Sequence, residues 1–226
     1  CPLRERPVRD ARDPELLAKH SAEVLRLERR FGEKDENAKL ASAFEYAIAQ
    51  RLNGPSHWLG EHMRAQLTAP FDDYVNKVDL YIEDTKSGTG RPVGLSVDVT
   101  FSHDAAGIAG KFEDVKSKLL DGGRLGQLSY YKPLGAAEEG PHTVWLPKVI
   151  IGIERARALE ALKQLSAAQE VATEGKSRDL KTEFTLLYQM AEQLKAYLWY
   201  SKTRVSAKQK PHLSSAIARY EEALAD

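Results

Sequence analysis

The chain has 226 residues, 42% hydrophobic and 29% charged, with 33 basic and 33 acidic side chains and a formal net charge of zero. That composition excludes a disordered chain, and the charge balance does not favour a whole-surface nucleic-acid binder, though it leaves room for a local basic groove. No run approaches the ~18 apolar residues that span a bilayer, so no membrane contact is expected.

Residues 13–31 read as a helix, with Asp13 as N-cap and Pro14 at the first helical position. Leu16, Leu17, Val24, Leu25, Leu27 and Phe31 give it an apolar side, and Gly32 stops it. A second helix is expected over 36–53, ended by Asn53-Gly54-Pro55, and a short third one near 56–68. Two strands follow, 77–83 and 93–101, joined by the polar, glycine-rich turn 84–90. Val78, Leu80 and Ile82 alternate to one side of the first strand and leave Asp79 and Glu83 on the other. In the second, Val93, Leu95, Val97, Val99 and Phe101 oppose Ser96, Asp98 and Thr100. Period-two alternation marks half-buried strands, and a hairpin connection makes the pair antiparallel.

A helix is expected at 106–121, ended by Gly122-Gly123. Residues 124–143 suit either a short helix or a strand. The nearly continuous apolar run 143–153 describes one strand buried on both faces in the sheet centre. From Glu154 the pattern is helical, over 154–173, 178–202 and 211–225. The fold class is therefore α/β of the mixed, α+β-like kind: a small mixed sheet flanked by helices, with helical N- and C-terminal additions. Residues 1–153 form the core unit with its N-terminal helices, and 154–226 a helical extension packed on it.

Asp is depleted in strands, so Asp79 and Asp98 in the middle of neighbouring strands need a reason. Glu45 adds a third carboxylate. At ~100° per residue it falls inside the stripe made by Ala41, Phe44, Ile48 and Leu52. A carboxylate on a buried face has to be paired, hydrogen-bonded or bound to a metal. Taken alone, Glu45 reaching solvent or a lysine is the simpler reading, as is a salt bridge for Asp79 or a bond from Ser96 or Thr100 for Asp98. Together the three are hard oxygen donors of the kind that suit Mg²⁺ or Mn²⁺.

The order helix with Glu45, strand with Asp79, strand with Asp98-Val99-Thr100, helix, apolar strand resembles the PD-(D/E)xK nuclease core over about 36–153. That core runs α-β-β-β-α-β. The resemblance implies a restriction-endonuclease-like fold and Mg²⁺-dependent hydrolysis of phosphodiester bonds, in DNA ahead of RNA. It implies Asp79 and Asp98 as the two strand acids and Glu45 as the helix acid. The sequence departs from the family at Thr100, which stands where the family has its lysine, and in showing two clear strands where the family has three. Lys77, Lys111 and Lys116 are candidates to supply the missing charge. A catalytically silent module of the same fold and an unrelated α+β assembly protein are the competing readings.

His103, just after the second strand, suits loop capping ahead of a supporting place near Asp98, and Asp72-Asp73, just before the first, suit a turn ahead of a role as added ligands. Residues 200–212 carry Lys202, Arg204, Lys208 and Lys210 and no acid, a composition fit for phosphate-backbone contacts or for a solvated loop. Tyr197, Trp199 and Tyr200 suit core packing or a homodimer through the C-terminal helices. The single cysteine, Cys1, can form neither an intramolecular disulfide nor a cysteine-based zinc site, which fits a cytoplasmic setting. A first residue other than Met suggests an excerpt from a longer protein, with a lipidated mature N-terminus as the lesser alternative.

Overall fold

The computed structural model describes residues 14–31, 36–54, 59–85, 94–102, 105–120, 126–133, 142–172 and 180–204. Helices α1 (Pro14–Phe31) and α2 (Glu36–Asn53) lead into strand β1 (Met63–Leu67), the short helix α3 (Pro70–Tyr74), and strands β2 (Leu80–Asp84) and β3 (Gly94–Ser102). Helix α4 (Ala105–Leu120), strands β4 (Gly126–Tyr131), β5 (His142–Leu146) and β6 (Lys148–Glu154), and helices α5 (Arg155–Ala172) and α6 (Leu180–Arg204) complete the described chain. It is an α/β protein.

The main sheet runs β1-β2-β3-β6, antiparallel at its first two pairings and parallel between β3 and β6; β4 and β5 form a second, two-stranded sheet. Alternation sorts the strands of the main sheet into two faces. Leu80, Ile82, Leu95, Val97, Val99, Val149 and Ile151 share one core with Phe44, Ile48 and Leu52 of α2 and with Leu186, Met190, Leu194 and Tyr197 of α6. Each such side chain contributes about 1.5–3 kcal/mol by leaving water. The opposite face is covered too: Val78 and Tyr81 pack on Leu128, Tyr131, Val144 and Leu146 of the small sheet. Glu83, read as an outward acid, is buried there and accepts a 2.6 Å hydrogen bond from the Tyr131 hydroxyl. That bond and burial push the Tyr131 phenol well above its ordinary pKa, burial being the larger cause.

Four expectations are corrected. Residues 63–67, expected to be helical, are β1, a third strand before α4. Beyond them, α3 is an unforeseen turn of helix. The first predicted strand starts late, at Leu80, because Lys77 takes a left-handed φ of 57° and turns Val78 toward the small sheet. The apolar run after residue 142 is not one strand: it breaks at Pro147 into β5 and β6, which belong to different sheets. Strand β6 is buried, but it lies at the edge of its sheet rather than at the centre.

Asp72 caps its own turn, where Oδ1 accepts from Asn76 Nδ2 at 2.6 Å, and does more besides. The β4–β5 ladder shifts register between Leu128 and Tyr131, which frees two main-chain donors. The Asp72 carboxylate accepts both, Ser129 N–H at 2.7 Å and Tyr130 N–H at 3.0 Å, so α3 is pinned to the bulge. Helix α1 then docks on α3. The His20 ring stacks on Phe71 at 3.6 Å, and its Nδ1 lies 2.7 Å from the Tyr130 hydroxyl.

Burial lowers the His20 pKa and outweighs the opposing pull of Asp72. An imidazole harder to protonate when folded binds fewer protons than in the unfolded chain, so stability falls as pH drops through the ordinary histidine range near ~6.5. Hydrogen exchange across α1 is therefore expected to quicken on acidification through that range. His20→Phe, which retains the stack on Phe71, is expected to flatten the response. A pH-dependent exchange rate that persists in His20→Phe would assign the effect to another group.

Candidate functional site

The site lies where β2 and β3 part. Between residues 80–83 and 94–97 the two strands pair regularly. Beyond that register Asp79 N–H still bonds Val97 O at 2.9 Å, but Val99 N–H donates to the Asp79 side chain, reaching Oδ2 at 2.5 Å. Asp79 thus stands in for a main-chain partner at the open end of the ladder.

The Asp79 carboxyl is pushed well above the ordinary carboxylate range. Burial is the largest cause, and negative charge on Glu45, Asp98 and Asp73 adds to it; the Val99 bond pulls the other way. Asp79 as a residue nevertheless keeps some accessible surface. Glu45 of α2 and Asp98 of β3 thus each bear on Asp79 just ahead of β2, as does Asp73 of α3.

Asp98 is buried and ion-paired twice. Lys111 of α4 donates to its Oδ1 at 2.9 Å, and Lys148 at the start of β6 lies 3.1 Å from Oδ2. Parallel pairing of β3 with β6 sets Lys148 beside Ser96, on the face that carries Asp98, within reach of the next carboxylate along. Lys148 also bonds the main-chain carbonyl of Lys77. Its side chain is only 15% exposed, against 43% for Lys111.

Of the lysines considered for the missing charge, Lys111 reaches the site. Lys116 pairs with Glu113 on the surface of α4. Lys77 is exposed and brings its carbonyl to Lys148. Lys148 was not singled out from sequence, although a lysine interrupting an apolar run after Pro147 is itself a signal: burial there demands a counter-charge. Thr100 is buried two residues beyond Asp98, paired in register with Gly152, where Ile108 of α4 sits so close that an added Cβ would meet it at 2.4 Å. Lys202 and Arg204 fall on the last turn of α6 as backbone only; Lys208, Lys210 and His103 lie outside the described residues.

Asp79 and the three carboxylates that act on it, Glu45, Asp98 and Asp73, match a hard divalent cation in kind. Among the described residues, however, no three acids, histidines or cysteines are gathered round one point in a metal-holding arrangement, and both Asp98 oxygens face lysines. A cation taking Asp98 as a ligand has to displace at least one ammonium.

No protein-family model matches the chain, and no curated protein or solved structure resembles it significantly. Among the described residues no helix is long and apolar enough to cross a membrane.

Proposed function

We propose that the chain is a metal-dependent nuclease-like domain that hydrolyses phosphodiester bonds, in DNA ahead of RNA, with Mg²⁺ or Mn²⁺ held by Asp79, Asp98 and Glu45. The observation that carries this reading is the crowding of Glu45, Asp98 and Asp73 against Asp79 beside two lysines. Like charges acting on a buried carboxyl cost stability, and function is the usual reason to keep them. The order α2-β1-β2-β3-α4-β6, interrupted by the short helix α3 and by the small sheet, also supports it.

Asp79, Asp98 and Glu45 would hold the cation, which would supply Lewis-acid polarisation of a phosphodiester oxygen and a more acidic water. The chain's own residues do the rest. Asp79 holds its place through Val99 N–H. Lys148, nearly enclosed, supplies the fixed positive charge that Thr100 cannot, and Lys111, more exposed, is placed to meet a substrate phosphate. Lys202, Arg204, Lys208 and Lys210 would extend the contact along a nucleic-acid backbone. A single cysteine suits a cytoplasmic setting.

The test is cleavage of single- and double-stranded DNA and RNA oligonucleotides with Mg²⁺ or Mn²⁺, against a chelator control. Activity is expected to vanish in Asp98→Ala and to fall by about 10²–10³ in Lys148→Ala, the scale for losing one preorganised electrostatic group. Activity that survives Asp98→Ala rejects the site. A second reading has its own observation, the double ion pair on Asp98. A catalytically silent module of this fold would bind nucleic acid or protein without turnover, and binding with no cleavage under any metal would select it.

A further inference from the structure

Helix α6 buries one side and shows aromatic rings on the other. Leu186, Met190, Leu194 and Tyr197 face the core, while Phe184, Tyr188 and Trp199 are 70%, 55% and 64% exposed. At ~100° per residue the three exposed rings fall within ~60° of one another, roughly opposite the buried four, with Lys195 among them. Phe184 and Tyr188 already stack, their centroids 6.1 Å apart.

The stripe has an internal symmetry. Phe184 and Trp199 lie equally far from the midpoint between Ala191 and Glu192, and so do Tyr188 and Lys195. A second α6 laid antiparallel about a two-fold axis at that midpoint sets Phe184 of each copy against Trp199 of the other. It also sets each Tyr188 ring beside the other copy's Lys195, whose ammonium pairs with Glu192 of its own helix at 2.9 Å. Ring-on-ring and cation-on-ring pairs are favourable contacts, and self-complementarity is what an isologous interface requires.

We infer that α6 is the dimer interface of this protein, pairing antiparallel with α6 of a second copy through Phe184, Tyr188, Lys195 and Trp199. The size sets the strength. Fully buried aromatics cover ~150–250 Å² each; at these exposures the three rings offer about 400 Å² per protomer. That is about 800 Å² for the pair, below the ~1,200–2,000 Å² of stable specific interfaces and in the range of weak, transient ones. A reversible, concentration-dependent dimer follows, independent of whether the acidic site cleaves anything.

Sedimentation velocity of the whole chain carrying Cys1→Ser, from about 1 to 200 μM, is expected to show the mass rising from 25.2 kDa toward twice that value. Phe184→Glu with Trp199→Glu is expected to hold it at the monomer with an unchanged circular dichroism spectrum. In the same Cys1→Ser background, Ala191→Cys, next to the axis, is expected to give a disulfide-linked dimer on mild oxidation, while Lys163→Cys, exposed on α5, is not. A monomer throughout the range overturns the inference, whether the stripe is then covered by residues 205–226 or by nothing. So does a dimer that survives the double glutamate variant, or one in which Ala191→Cys fails to cross-link.

Discussion

Asp79→Asn is expected to abolish metal-dependent cleavage and at the same time to make the metal-free protein more stable, by about 1–2 kcal/mol. The asparagine amide oxygen can still accept the Val99 N–H that now bonds Asp79 Oδ2. Its NH₂ group can donate toward the acids that now repel the carboxylate, Glu45 and Asp98 among them. Asp79→Ala removes the repulsion as well, but leaves Val99 N–H without that acceptor, at a cost of about 1–3 kcal/mol. The alanine variant should therefore unfold below the asparagine one.

The pH dependence follows from the same crowding. A carboxyl whose pKa is raised on folding holds its proton more tightly in the native state than in the unfolded one. Its penalty is thus fully present above the raised folded value and gone below the ordinary 3.8. Wild-type stability should fall as pH rises through that window, and Asp79→Asn should lose this slope. Divalent cation supplies a second readout that needs no activity: at a hundred times its dissociation constant a bound ligand adds about 2.7 kcal/mol. Mg²⁺ or Mn²⁺ should raise the melting temperature of the wild type and not of Asp79→Asn. Equal melting shifts in both proteins, or an asparagine variant no more stable than the alanine one, would reduce Asp79 to a structural acceptor for Val99.

How far the sequence carries depends on the range of the interactions involved. The bounds of α2 follow from local periodicity and from the stop at Asn53-Gly54, and the structure reproduces them at Glu36–Asn53. The antiparallel pairing of β2 with β3 follows from alternation together with the short polar turn that joins them. Strand β1 is hidden because Met63–Leu67 carries Arg64 and Gln66, which a helix would accept equally well; only pairing with β2 decides it. The acids were legible as a group because each broke a local rule: two aspartates inside strands and a glutamate within an apolar stripe. Lys148 was not, since its meeting with Asp98 depends on the parallel register of strands fifty residues apart. Asp72 was read only in part for a related reason. Beyond its turn partner Asn76, it accepts from main-chain donors freed by a bulge in β4, and no side-chain pattern announces those.

Gln193→Leu should cost about 2–4 kcal/mol and turn a well-behaved protein into an aggregating one, though it replaces one partly exposed polar side chain by an apolar one of similar size. Strand β6 is the last strand of the main sheet, and an open edge is a template for pairing with other chains. Helix α6 closes it with side chains. Gln193 accepts from Ile150 N–H and donates to Ile150 O, both at 2.7 Å. Gln189 does the same for Gly152 at 3.2 and 3.0 Å, and the Tyr197 hydroxyl bonds Lys148 O. The match is geometric: four residues of helix rise about 6 Å and two residues of strand about 6.6 Å, so helix positions four apart meet alternate residues of the strand. Leucine leaves one donor and one acceptor of Ile150 unpaired, each worth about 1–3 kcal/mol when buried. Gln193→Glu separates the two halves of the bond, since a carboxylate can accept from Ile150 N–H but faces Ile150 O with nothing to donate. It should be no less damaging than leucine at neutral pH and should recover part of its stability in acid, where the carboxyl regains a proton to give. If instead both variants melt with the wild type, the glutamine ladder is ornament on an edge already closed by the packing of Met190, Leu194 and Tyr197.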